Sequence, residues 1–319
     1  MELTWTSDTT SLNYWLTWKF LLCALWVFSS MIIASFLIWK YEESVNTITF
    51  KEVTQQKRTW FQYDCEAWMP CIKGIHPVWL MVFRIVSFLL LLAAGVADVT
   101  THGTELFLYY TQWTLTLTTF YFAFGSLLSV YGCLNHHKTF HVGPDQDLFL
   151  PLTHKEETTN QQEKGHFLTA GFWGYTFQII FQMTAGAVVL TDSVYWIVIV
   201  PFLTIVGYEM GFLTVVAHSL NLFLLLGDTA LNSLRFPWFR ISYFLLLTAF
   251  YVLFEWIIHA FVATWWPYPF LDLSVPFAPL WYLLVALLHL PCYSIFLLVV
   301  KLKYYILSRW FPQSYQTLR

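Results

Sequence analysis

The sequence predicts an all-α, polytopic membrane protein: a bundle of about seven transmembrane helices, N-terminus outside or lumenal and C-terminus cytosolic. Three observations predict it. The chain is 58% hydrophobic, 20% aromatic and 11% charged, against roughly 25% charged in ordinary soluble domains. Apolar runs of about 18 or more residues recur along it, each long enough to cross roughly 30 Å of hydrocarbon. Lys and Arg are concentrated in alternate connections between those runs.

The first span, 17–39, is too long for a signal-peptide core and has no basic leader, so it is expected to be an uncleaved anchor. The connection 40–77 carries Lys40, Lys51, Lys57, Arg58 and Lys73 with Trp60, Phe61, Trp68 and Met69. That mixture suits a cytosolic interfacial segment with its aromatics at headgroup level. Spans 78–98 and 106–133 follow, joined by a turn without Lys or Arg. Arg84 falls near the inner end of its helix, where it is expected to snorkel. The connection 135–165, with the run HKEETTNQQEKG, reads as a solvated cytosolic loop.

The fourth span is expected at 167–190. After it, Pro201 and Gly207 interrupt the apolar run 193–207, which could lie at the surface, dip in, or span. An eighth span would overturn the topology. Spans 205–227, 240–263 and 277–300 complete one transmembrane domain, 1–319. Arg235 and Arg240 precede the sixth span, and Lys301, Lys303, Arg309 and Arg319 follow the seventh. The turns 191–204 and 264–276 hold no Lys or Arg, and Lys19 is the one dissenter at the outer side. The positive-inside rule then sets the orientation. An endoplasmic reticulum or plasma membrane location is expected.

Several classes are set aside. A formal net charge of −3 offers no basic face to nucleic acid. Cys23, Cys133 and Cys292 fall in or beside helices as small apolar side chains, while Cys65 and Cys71 are expected to be reduced thiols without a matching zinc pair. His136, His137 and His141, with His154 downstream, form a loop cluster rather than a repeated metal-binding box. No cofactor and no metal are expected. Helix 3 ends VYGCLN, with no Asp-Arg-Tyr pattern, and helix 7 has no Asn-Pro-x-x-Tyr, so a G-protein-coupled receptor is excluded.

The polar groups inside the spans carry the functional signal, because ionisable side chains in hydrocarbon are costly. Thr111 lies about 9 Å below the outer end of its helix, and His218 roughly 16–20 Å in, by the rise of 1.5 Å per residue. Glu255 and His259 are four apart and share a helix face, as do Gln178 and Gln182. Asn221 follows His218 by three positions, Glu209 begins the fifth span, and His289 sits near the middle of the seventh. For Gln178, Gln182 and Asn221, interhelical bonding and function remain equal readings. For Glu209, Glu255, His218 and His259 the cost of burial favours function.

YYTQWTLTLTTFYF, AHSLNLFLLLGD and WIIHAFVATWWPYPFLDL resemble three successive landmarks of the androgen-induced and rolling-stone membrane proteins. The YYTQWT form is closer to the rolling-stone branch and to plant transmembrane proteins. The resemblance covers roughly residues 78–302. Helix 1 and the 40–77 connection are additional to the six-helix androgen-induced pattern, and Ser219-Leu220 stands where two threonines often follow the His. The androgen-induced group includes hydrolases of fatty acid esters of hydroxy fatty acids, and the resemblance implies Thr111 as nucleophile and His218 as its histidine.

That chemistry is coherent, since a threonine hydroxyl needs a positioned base and imidazole suits the task. Glu209, Glu255 or His259 would orient His218, and Gln112 or Asn221 would donate to an oxyanion. The partners are then membrane lipids, fatty-acid esters among them, and a lipid-sized cavity closed to the cytosol is expected. Two other classes remain open: a non-enzymatic factor in membrane organisation or fusion, and a transporter using Glu209, Glu255 and the histidines as a relay.

Overall fold

The computed structural model describes residues 9–51, 64–139, 172–201, 211–262 and 265–315. Among them the chain is helical, with β pairing limited to the isolated bridges Pro70–Asn232 and Ile72–Tyr315. Seven helices in these residues are long and apolar enough to cross a membrane. We label the helices α1 (Trp18–Lys51), α2 (Pro77–His102), α3 (Tyr110–Thr139), α4 (Phe172–Ser193), α5 (Phe212–Ala217), α6 (Leu220–Leu231), α7 (Ile241–Phe261) and α8 (Ala278–Trp310). The short pair α5 and α6 supplies the fifth span.

Helix α4 is the hub. Of its most apolar window 78% is buried, against 17% for α1, and α3, α7 and α8 pack around it. The small residues Ala185, Gly186 and Ala187 make this possible by letting neighbouring helices come close. A Cβ on Gly186 would stand 2.5 Å from the ring of Phe244, which is itself fully buried on α7. Helix α1 lies outside the others against α7 and α8, with Leu21, Phe28, Ile32 and Phe36 exposed for lipid. The bundle therefore has a dry, aromatic centre and an apolar skin.

Several boundaries differ from the sequence expectation. Helix α1 runs on to Lys51, so residues 40–51 of the expected 40–77 loop are helix. After α4 the chain continues through a π-helical turn, Val194–Ile199, so the start of 193–207 extends the fourth span instead of forming a separate one. In the fifth span the first described helix starts at Phe212, after the extended Gly211, and 205–210 lie outside the described residues. Residues 52–63, the 140–171 stretch that holds most of the polar loop, and Glu209 lie outside the described residues.

Of the aromatics expected at headgroup level, Trp68 is half-buried, while Trp60 and Phe61 lie outside the described residues. Residues 64–76 fold under the bundle, with Glu66, Ala67, Met69 and Cys71 buried. Cys71 N donates to Leu231 O at 2.9 Å and Lys73 N to Ser314 O at 2.8 Å, which ties this segment to the ends of α6 and α8. Burial pushes the Cys71 thiol up from its ordinary range. Arg84 does not snorkel. It is fully buried, with Nε 2.7 Å from Asp228 Oδ1 and Nη1 bonded to Ala67 O and Ser129 Oγ. An acidic partner inside the bundle holds the guanidinium there, so it need not reach for water.

At the opposite end of the bundle, Tyr14 donates to Asp272 Oδ1 at 2.8 Å and Lys19 donates to the carbonyls of Ser274 and Val275. Gly103 turns the chain there, at φ 83°, a left-handed conformation that glycine adopts without strain. The turn leads into a 3-10 segment, Thr104–Leu108, which delivers the chain to the start of α3.

Candidate active site

Thr111 lies in the first turn of α3. Other threonines of this helix bond to their own backbone: Thr114 to Tyr110 O, Thr118 to Thr114 O and Thr119 to Leu115 O. Thr111 differs because the residue four before it, Phe107, belongs to the preceding 3-10 segment, and its carbonyl accepts from Trp113 Nε1 at 2.9 Å. Tyr251 Oη fixes the same segment by donating to Leu108 O at 2.7 Å. The Thr111 hydroxyl is left facing a cavity, with a 3.5 Å contact to Tyr268 Oη. Burial pushes the Tyr268 phenol up to about 12, so it stays protonated and able to donate at neutral pH.

His218 occupies the break between α5 and α6. Its backbone leaves helical geometry (φ −102°, ψ 15°), and Ser219 follows at φ −141°. The π-helical turn after α4 holds this break in place. Tyr195 stacks on the imidazole with centroids 3.6 Å apart and planes 3° apart, and Trp196 Nε1 donates to His218 O at 2.8 Å. Such turns frequently accompany functional positions. His218 Nδ1 is buried without a hydrogen-bond partner among the described residues.

Thr111 and His218, from α3 and the α5–α6 break, line one cavity of about 60 Å³ together with Tyr195, Thr248, Tyr251 and Tyr268. His218 lies roughly 9 Å past Phe212, the first residue of α5, by helical rise. No hydrogen bond joins Thr111 to His218 among the described residues. The cavity is smaller than the lipid-sized one expected, since the rings of Tyr195, Tyr251, Tyr268 and Phe270 occupy its walls. At about 60 Å³ it has room for several waters, or for an ester group with its adjoining carbons.

The supporting candidates lie elsewhere. Gln112 and Asn221 are buried but do not line the cavity among the described residues. Glu255 and His259 form a separate pair, both fully buried. His259 Nδ1 lies 2.8 Å from Glu255 O and 3.7 Å from Glu255 Oε2, and its ring stacks on Trp266. Gln178 and Gln182 serve as interhelical bonding groups: both donate to Arg235 O and both accept from Arg240 Nη1. Of the loop histidines, His141 and His154 lie outside the described residues, as do the side chains of His136 and His137. Among the described residues no group of three His, Cys, Asp or Glu is placed to hold a metal ion.

Sequence reasoning missed Tyr195, Tyr268 and Thr248 as site residues. Aromatics abound in this chain, and Thr248 sits in an unremarkable LLLTAF run. The break in helical phase at His218 and the WIVIVP run after Tyr195 were the available signals. No protein-family model matches this chain, and no match is found among curated proteins or solved structures.

Proposed function

We propose that this protein is an intramembrane lipid-ester hydrolase, with Thr111 as nucleophile and His218 as base. One observation carries the reading: Thr111 and His218, far apart in sequence, open onto the same largely apolar cavity. The landmarks shared with the androgen-induced and rolling-stone proteins point the same way. In this scheme Thr111 Oγ1 attacks the ester carbonyl carbon and its proton passes to His218. Collapse breaks the bond to the alcohol oxygen, which takes that proton. Water then attacks the acyl-threonine, with His218 again accepting and returning the proton. Tyr268, protonated and 3.5 Å from Thr111 Oγ1, is the donor best placed for the developing oxyanion. It replaces Gln112 and Asn221 in that role, since neither lines the cavity among the described residues.

A non-enzymatic role in membrane organisation is the second reading, favoured by the missing Thr111–His218 hydrogen bond. Turnover of a long-chain 4-nitrophenyl ester by the purified protein in nanodiscs decides between them. Thr111→Ala and His218→Ala are each expected to lower kcat/KM by about 10²–10⁴-fold. A well-folded wild type without turnover overturns the hydrolase reading, and turnover unchanged in both variants removes Thr111 and His218 as its machinery.

A further inference from the structure

Thr248 stands in the wall between two cavities. Beside the one shared by Thr111 and His218 lies a smaller void of about 40 Å³ between α1, α7 and α8, walled by Trp26, Val27, Leu245 and Trp281. Thr248 lines both. Its Oγ1 lies 2.8 Å from His289 Nε2 and 2.9 Å from Tyr110 Oη, and all three side chains are buried.

The direction of these bonds follows from the other imidazole nitrogen. His289 Nδ1 lies 2.8 Å from Val285 O, and a carbonyl only accepts, so Nδ1 carries the proton and Nε2 presents its lone pair. Thr248 therefore donates to His289, and Tyr110 donates to Thr248. The alternative acceptor for Thr248, Phe244 O, is farther away at 3.3 Å. The Phe244 ring also holds the imidazole in place, with centroids 4.4 Å apart. The result is a hydroxyl whose proton already points at an oriented base, the arrangement that activates a weak nucleophile.

We infer that Thr248 is a second acyl-accepting nucleophile, with His289 as its base, acting on carboxylic esters whose acyl end enters the smaller apolar void. The alcohol end would occupy the larger cavity beside Thr111 and Tyr268. This rests on its own geometry and does not require Thr111 to react. Thr248 Oγ1 bonds to the carbonyl carbon as its proton moves to His289 Nε2. The bond to the alcohol oxygen then breaks, and that oxygen takes the proton. Water arriving through the larger cavity releases the acid, with His289 again accepting and returning the proton. Tyr110 acts as a positioning residue through its bond to Oγ1.

The test uses the full-length protein in nanodiscs, a short-chain alkyl fluorophosphonate, chosen because a void of about 40 Å³ admits only a few methylenes, and mass spectrometry to locate the modified residue. Phosphonylation of Thr248 is expected in the wild type and in Thr111→Ala. It should persist in Thr248→Ser and fall at least tenfold in His289→Gln, which retains a hydrogen-bonding side chain but no base. Ester turnover is measured on the same samples. Label confined to Thr111 overturns this inference and leaves the proposed hydrolase standing. Label at Thr248 with turnover untouched by Thr111→Ala supports the inference and removes Thr111 from the reaction. Label at Thr248 that is indifferent to His289→Gln, or no label on a folded wild type, overturns the inference; turnover in the second case still speaks for the hydrolase.

Discussion

Asp228 draws together buried polar groups from several helices. Arg84 Nε reaches its Oδ1 at 2.7 Å, while Tyr121 Oη and Asn232 Nδ2 donate to its Oδ2 at 2.5 and 2.8 Å. A buried charge stripped of its partner is expensive, so Asp228→Asn is expected to cost about 3–5 kcal/mol by thermal or denaturant unfolding in detergent. The double variant Arg84→Met, Asp228→Leu should lose less than the single one, because both charges leave together. Glu255 presents the opposite case. It is fully buried and neither carboxylate oxygen accepts a hydrogen bond among the described residues. Glu255→Gln is therefore expected to be neutral or stabilising by about 1 kcal/mol, and a loss of more than about 1 kcal/mol sinks this account. The sequence flagged Glu255 as costly, but it placed Arg84 as a snorkelling side chain and left its partner unidentified. Asp228 lies 144 positions away, and helical periodicity carries no information at that range.

Helices reveal why the spans were legible and the site was not. Length and hydropathy locate a span without knowledge of its neighbours, and seven spans stand where the apolar runs stand. The elements that build the cavity are departures from regular helix: the 3-10 segment Thr104–Leu108, the π-helical turn Val194–Ile199 and the break at His218–Ser219. Each is decided by tertiary contacts, such as Tyr251 on Leu108 O and Trp196 on His218 O. The α4–α7 contact makes a test at this scale. Gly186→Ala would drive Phe244 from its place, and Phe244 packs on His289. We expect a loss of about 1–3 kcal/mol, typical of overpacking, with weakened Thr248 labelling. Gly95→Ala is the control, since its Cβ would meet Leu115 at an ordinary 3.7 Å.

Across the whole molecule, the basic residues are distributed in a way that argues for one orientation. The end holding residues 64–76 gathers Lys73, Arg235, Arg240, Lys303 and Arg309, whereas the end holding Tyr14 and Asp272 has Lys19. Pairing does not weaken the asymmetry. Arg235 meets Glu66 and Arg240 meets Glu42, each at 2.8 Å, but the rule counts Lys and Arg while acidic residues contribute little. Lys19, the dissenter, is accounted for by its bonds to the carbonyls of Ser274 and Val275, which hold its ammonium against the protein surface. The Tyr14–Asp272 end should therefore face the lumen or the exterior. The sequence contains no natural N-x-[ST] site, so an introduced one reports without background. A sequon in an N-terminal extension is expected to be glycosylated, and one in a C-terminal extension is expected to stay bare. The reverse pattern inverts the molecule and puts the Tyr14–Asp272 end on the cytosolic side.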